Sequence, residues 1–388
     1  MLLQLYLHFP FCKRKCLYCD FTSCQATEVQ MAEYCLVLQD EIRRAAARYP
    51  DARVTTVFLG GGTPSVVPAA MMRQVLRALR SSFRFAQDVE FTSEANPGTL
   101  TQPWLEAVME GGLNRLSLGV QAAQDELLAR IGRIHPFAQA VDSIRLVKQM
   151  GVSNINADVM YGLPGQTQTE YLETLDRVCD TGVTHLSAYS LILEEGTPLC
   201  AQVEAGEITV PDDDACAEMT QRGIELLEKA GYHQYEISNY ARDGFVCRHN
   251  IGYWQGAWYL GMGVAAHSML PPDAAEAAQG AVRVRAANTD HLSDYLKGAW
   301  ERQERSLIKA DEAMFETMML GLRMTQGVSE AHFAAMHGMP MEQRYQAQLA
   351  GLIADGLAKW QGEGAERRFA LTPRGLLLQN EALLRLMD

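Results

Sequence analysis

Cys12, Cys16 and Cys19 form a C-x3-C-x2-C array just after a short apolar run at the start of the chain. Three thiolates can hold three irons of a cubane and leave the fourth iron without a protein ligand. A zinc site would normally take a fourth Cys or His nearby to close its tetrahedron. Cys24 and His8 are the local candidates, and neither completes a familiar zinc spacing. The chain has nine cysteines in 388 residues, three of them crowded into residues 12–19. Disulfide frameworks belong mainly to small secreted domains, so clustered thiols here point to metal or redox chemistry. The first expectation is a three-ligand [4Fe–4S] site. Zinc and unligated structural cysteines are the alternatives.

Other groups recur along the next 150 residues. Gly60-Gly61-Gly62-Thr63-Pro64 follows the apolar run Val54–Leu59. Glycines let backbone amides approach a ligand, and the plain alternative is a tight strand-to-helix turn. Glu94 stands in SEANPGTL, Gln121 in SLGVQ, Arg133 in RIGRIH and Asp158 in NADVMYGLPGQT. A buried carboxylate needs a partner, and an Arg can take a ligand carboxylate bidentately. Each also has an ordinary reading: salt bridges for Glu94 and Asp158, a turn for Gln121, the surface for Arg133.

These residues need a scaffold that gathers them. Strand-like runs occur at Leu3–His8, Val54–Leu59, Val89–Glu94, Arg115–Val120, Asn154–Val159 and His185–Tyr189. Helical periodicity fills the gaps at Val29–Tyr49, Ala69–Ser81, Trp104–Glu110, Ala138–Met150 and Thr169–Thr181. Strand then helix, repeated, predicts a parallel sheet with helices outside, as an open sheet or a barrel. In both, chemistry gathers at the carboxyl ends of the strands. The candidate residues stand there. Residues 212–231 read as a further helix, with Asp212, Asp213 and Asp214 at its positive end. Pro271–Gly280 reads as a loop. From Asp311 the texture changes to three helices (Asp311–Met324, Ser329–Met336, Met341–Asp355), a hairpin (Leu357–Trp360 with Arg368–Leu371) and a last helix (Pro373–Met387). That is a winged-helix-like pattern.

A net charge of −13 argues against nucleic acid as the main partner. The N-terminal apolar run lacks a basic flank and a small-residue cleavage site. No run of about 18 apolar residues suggests a membrane span. A cytoplasmic protein is the expectation.

The segment LYLHFPFCKRKCLYCDF resembles the opening of radical S-adenosylmethionine proteins, and more narrowly the coproporphyrinogen-dehydrogenase-like group. The resemblance implies an α/β fold, a partial (β/α)6 TIM-like barrel with a C-terminal winged-helix-like helical domain. It divides the chain into a barrel at 1–210, a linking region at 211–305 and the C-terminal domain at 306–388. It implies a [4Fe–4S] cluster on Cys12, Cys16 and Cys19, whose open iron chelates S-adenosylmethionine. An electron from such a cluster can cleave the sulfonium to methionine and a 5′-deoxyadenosyl radical, the cofactor supplying the hard step. Tyr6, Tyr18, Gly61, Gly62, Thr63, Glu94, Gln121, Arg133, Asp158 and Ile192 match S-adenosylmethionine positions. Among these, Tyr18 and Ile192 are assigned to the adenine and Asp158 to the ribose. The glycines and Thr63 are assigned to the methionine end.

Three features select a branch. The triad lies almost at the N-terminus, whereas coproporphyrinogen dehydrogenases carry a longer arm before it. Phe21 stands where those enzymes usually have a further Cys. His249-Asn250-Ile251-Gly252-Tyr253-Trp254 reads H-N-x-x-Y-W, which looks like a haem-binding motif of the group's haem-chaperone branch. Neutral imidazole is a standard haem ligand, and Tyr253, Trp254 and Trp258 could offer flat faces to a porphyrin. The alternative is that His249 and Asn250 bond a loop while the aromatics pack between domains. Cys247 and His267 are weaker ligand candidates. The resemblance thus implies a haem chaperone that delivers haem to acceptor haemoproteins. An electron donor such as flavodoxin or ferredoxin, a homodimer and peripheral contact with the inner membrane stay open. The alternatives are an oxygen-independent coproporphyrinogen III dehydrogenase and a haem-degrading radical methyltransferase.

Overall fold

A computed structural model describes residues 1–298 and 304–387. Residues 299–303 of the expected linking region and Asp388 lie outside the described residues. Six strands lie side by side in chain order, all parallel: β1 (Leu2–Phe9), β2 (Arg53–Gly61), β3 (Arg84–Ala95), β4 (Arg115–Gln121), β5 (Asn154–Tyr161) and β6 (His185–Ser190). Each expected run is present and slightly longer than its apolar kernel. Helices return the chain between them: α1 (Glu28–Arg48), α2 (Ala69–Ser82), α3 (Gln102–Glu110), α4 (Asp125–Arg130), α5 (Phe137–Gln149) and α6 (Gln168–Asp180).

Local sequence sets the helix starts. Thr27 with Gln30, and Thr167 with Glu170, close reciprocal capping boxes at α1 and α6. The period of two in β1 sends Leu3, Leu5, Leu7 and Phe9 into the core shared with Leu38 and Ile42 of α1. Gln4, Tyr6 and His8 face the other way, into the barrel interior. All seven residues of β4 are buried, as a parallel strand covered on both faces must be.

Beyond β6 come α7 (Pro198–Glu204), α8 (Asp213–Lys229), β7 (His233–Gln234), β8 (Asn239–Ala241), α9 (Arg248–Trp254), β9 (Tyr259–Met262), β10 (His267–Leu270), α10 (Ala274–Ala278), β11 (Arg283–Ala287), α11 (Leu292–Leu296) and β12 (Glu304–Ile308). This stretch is no mere connection. It extends the barrel sheet at both ends, in the order β12-β11-β10-β9-β1-β2-β3-β4-β5-β6-β8-β7. The loop expected at Pro271–Gly280 contains α10, started by a capping box of Asp273 with Glu276.

The remainder holds α12 (Ala310–Gly321), β13 (Val328–Ser329), α13 (Glu330–His337), α14 (Met341–Ala354), β14 (Ala358–Gln361), β15 (Arg368–Leu371), α15 (Pro373–Leu377) and α16 (Gln379–Met387). The expected hairpin is β14 with β15, joined by β13. The single helix expected over Pro373–Met387 is broken at Leu378. Met318, Leu322, Phe333, Tyr345 and Phe369 form a separate core here.

Candidate functional site

The cysteine loop leaves β1 and is tied at its base, where Cys12 N donates to Cys24 O (2.9 Å) and Cys24 N to Pro10 O (2.7 Å). Gly62 N donates to Phe9 O and Thr63 N to Phe11 O, each at 2.8 Å, so the glycine turn after β2 packs directly beneath this loop. That packing explains the glycines first. A Cβ on Gly62 would lie 2.8–2.9 Å from backbone atoms of Phe9 and Phe11. Gly61 has a φ of +104°, which disfavours any side chain.

Cys12, Cys16 and Cys19 are free thiols and line one wall of a cavity of about 300 Å³. Gly61, Gly62 and Thr63 form part of the same wall, with Glu94, Gln121 and Asp158 inside. Tyr18, Arg133 and the exposed Ile192 complete its rim. Tyr6 is the exception among the candidate cofactor residues, because it lines a neighbouring, larger cavity. Among the described residues no three His, Cys, Asp or Glu side chains converge as they would on one ion. A cubane takes each thiolate on a different iron, so three separated thiols on one cavity wall fit a cluster better than a single zinc.

Hydrogen bonds tie the wall together. Arg133 donates to Asn96 Oδ1 (2.7 Å) and Gly119 O (2.5 Å), and its Nη1 lies 3.6 Å from Cys16 Sγ. Asn96 donates to Thr63 Oγ1 (2.8 Å), and Thr63 Oγ1 is 3.5 Å from Cys12 Sγ. Asn96 is thus central, and it stood unremarked inside SEANPGTL. Asp158 accepts from Asn156 (2.7 Å) and Ser117 (3.2 Å). Burial raises its pKa against those bonds. Glu94 accepts from Gly61 N (3.2 Å). Burial, with the charge of Asp158 adding, pushes its pKa up to about 8. Burial also raises the Cys19 thiol and Tyr18 phenol.

The larger cavity, about 660 Å³, shares Asp20, Phe21, Gly61 and Glu94 with the first. Its walls come from the sheet extension, α9 and α12, with Tyr253, Trp254, Tyr259, His267 and Met269 among them. Gln121 (φ +71°) and Ala265 (φ +56°) are the non-glycine residues at positive φ among the described residues. One lines each cavity. Such strain costs about 1–3 kcal/mol and gathers at functional sites.

His249 is not in either cavity. It is 1% exposed, with Nδ1 2.7 Å from Thr56 Oγ1 and Nε2 2.9 Å from Tyr253 Oη. The reason is its layer in the barrel. Gln4, Thr56 and Glu90 are register partners across β1, β2 and β3. All three hold the start of α9, Gln4 through the Arg248 and His249 carbonyls and Glu90 through their amides. The cysteine loop springs from the strand ends, beyond Tyr6 and His8. His249 is therefore bonded to β2 and to its own helix rather than to a loop, while Tyr253 and Trp254 of the same motif do line the larger cavity. Cys247 is also fully buried, beside Glu90, with burial raising its thiol to about 11. Trp258 packs against the main core and lines neither cavity.

Known proteins share this architecture. The radical SAM superfamily profile matches residues 6–178, and the HemN C-terminal domain profile matches 308–378. The heme chaperone HemW of Haemophilus influenzae is 33% identical, over 98% of this chain and 97% of its own. That of Bacillus subtilis is 32% identical, over 97% of each chain, and that of Escherichia coli 35%, over 91% of each. The structure of coproporphyrinogen III oxidase (HemN) from Escherichia coli superposes with a TM-score of 0.82 over 99% of this chain and 89% of that one, at 22% identity. At that identity the likeness shows the fold alone. The chain belongs to the radical SAM superfamily and, within it, to the family of its HemW relatives.

Proposed function

We propose that this chain is a haem chaperone. It holds haem in the larger cavity and passes it to acceptor haemoproteins, with a [4Fe–4S] cluster and S-adenosylmethionine in the smaller cavity. The supporting observation is the pair of contiguous cavities. The smaller has three free thiols on its wall, and the larger combines aromatic, His, Met and Arg side chains. Its size suits a tetrapyrrole better than a small metabolite. The names of the full-length relatives agree with this reading.

Cys12, Cys16 and Cys19 would hold the cluster. When bound, the cluster and S-adenosylmethionine supply one-electron chemistry. The chain's own residues do the positioning. Thr63, Asn96 and Arg133 link the cysteine loop to the ends of β2, β3 and β4 and fix its height over the barrel. Glu94 offers a carboxyl that gives up its proton readily when a cation arrives. Phe21, 59% exposed, stands in the wall common to both cavities. A dehydrogenase of this group would usually place a thiol there.

The test is anaerobic incubation of cluster-loaded protein with S-adenosylmethionine, reductant and coproporphyrinogen III, beside a parallel haem titration. Haem binding and transfer to an apo-haemoprotein, without decarboxylation, is expected. Formation of protoporphyrinogen would move the chain to the dehydrogenase reading, and loss of haem to a methylated tetrapyrrole would move it to the methyltransferase.

A further inference from the structure

The larger cavity carries an assignment that the H-N-x-x-Y-W motif does not supply. Two histidines line it, His8 and His267. His8 has both ring nitrogens engaged, Nδ1 by Tyr6 Oη (3.1 Å) and Nε2 by Thr22 O (2.9 Å). His267 is exposed to the cavity, and among the described residues no hydrogen bond engages its ring.

The sheet register builds a face around it. His267 and Met269 are two apart on β10, so they share a face. Met269 pairs across the ladder with Tyr259 on one side and Arg285 on the other. Arg283 lies two residues from Arg285 and shares that face. All five line the cavity. The opposite wall is α12, through Glu316, Met319 and Leu320 at helical spacing. Arg285 is paired with Glu316. Arg283 is 5% exposed and forms no ion pair among the described residues; its Nη2 donates to Met336 Sδ (2.6 Å), it lies over the Trp258 ring, and Glu316 acts on it only at longer range. A buried guanidinium with a thioether acceptor but no carboxylate in contact is costly, so it marks where an anion fits. Trp254, in the same wall, has a buried indole N–H without an acceptor among the described residues.

We infer that His267 is the protein ligand to haem iron in this cavity, and that Arg283 receives a haem propionate. This rests on the haem reading above. Neutral imidazole is a standard axial ligand, and a guanidinium pairs bidentately with a carboxylate. His249, one layer down with both nitrogens bonded, supports the wall by holding Tyr253. Met269 and Met319 bring the wall's two thioethers to the same space.

The test is a haem titration of the full-length chain, wild type and variants, read by the Soret band and the dissociation constant. His267→Ala is expected to weaken binding about tenfold or more and to change the iron's coordination signature, with free imidazole restoring it. Arg283→Leu is expected to weaken haem without changing that signature. Its effect should shrink with a haem whose propionates are esterified. His249→Ala is expected to lower thermal stability while the bound spectrum stays that of wild type. If His267→Ala keeps wild-type affinity and spectrum while wild type binds haem, the ligand assignment is overturned and the haem reading survives. If wild type binds no haem, the haem reading itself falls, and this inference with it.

Discussion

Glu94 shows how one residue's surroundings set a measurable property. Its carboxyl, raised to about 8 chiefly by burial and then by Asp158, is protonated at neutral pH in the free protein. A cationic ligand beside it favours the ionised form, so binding releases a proton. Affinity for S-adenosylmethionine should then rise with pH by up to about tenfold per unit and level off above about pH 8. Glu94→Gln should flatten that slope. The ligand's own amino group titrates alike against both proteins, so calorimetric curves that run parallel for the two would sink the assignment. Gly62 makes a second residue-scale case. A methyl there meets backbone, not a pliable side chain. Gly62→Ala should cost about 2 kcal/mol or more and lower the iron content after reconstitution, measured by urea unfolding and iron assay. The cysteine array was legible because its chemistry lies in a local spacing. The place of His249 was not, because depth within a barrel depends on which strand layer receives α9, and no local pattern encodes that.

At the scale of elements, the same helix yields a sharper test. α9 is held by Gln4, Thr56 and Glu90, whose side chains take up its first amides, two of its carbonyls and the His249 ring. His249 also stacks on Phe58, with ring centroids 5.1 Å apart. His249→Ala would remove packing and leave Thr56 and Tyr253 short of a partner. A loss of about 2–4 kcal/mol is expected. Tyr253→Phe should cost about 1 kcal/mol, the size of one hydrogen bond. Denaturant midpoints would rank them, and equal values would show that the ring is not the keystone. The six parallel strands and their helices were legible because period 2 alternates with period 3.6 along 190 residues. The extension β9–β12 was hidden for a physical reason. Its strands are only four or five residues long, and β9 pairs with β1, which is remote in sequence. Such pairing is settled by tertiary contact, with no local period to announce it.

Across the whole molecule, two sets of buried groups oppose each other as pH changes. His8, His135, His185 and His249 are nearly fully buried. Burial lowers all four, His135 to about 4 and His249 to about 3. Between those values and the unfolded value of about 6.5, the unfolded chain binds protons that the folded chain does not. Stability therefore falls as pH drops through that window. Each group accounts for up to about 1.4 kcal/mol per pH unit. Glu94, Asp158 and Glu236 are raised by burial. In their windows the folded chain binds the extra proton, so stability falls as pH rises. From about pH 6.5 to 4.5 the Glu94 carboxyl opposes the histidines and offsets part of their loss. Below about pH 4.5 Glu94 becomes protonated in both states and stops opposing the histidines. Urea unfolding of the metal-free chain should show a loss of stability on acidification that steepens below about pH 4.5. Glu94→Gln removes one opposing group. Relative to wild type, its stability should climb with pH between about 4.5 and 8. A constant difference between the two proteins across that range would show that the Glu94 carboxyl titrates normally in the folded chain, and the affinity argument for the smaller cavity would fall with it.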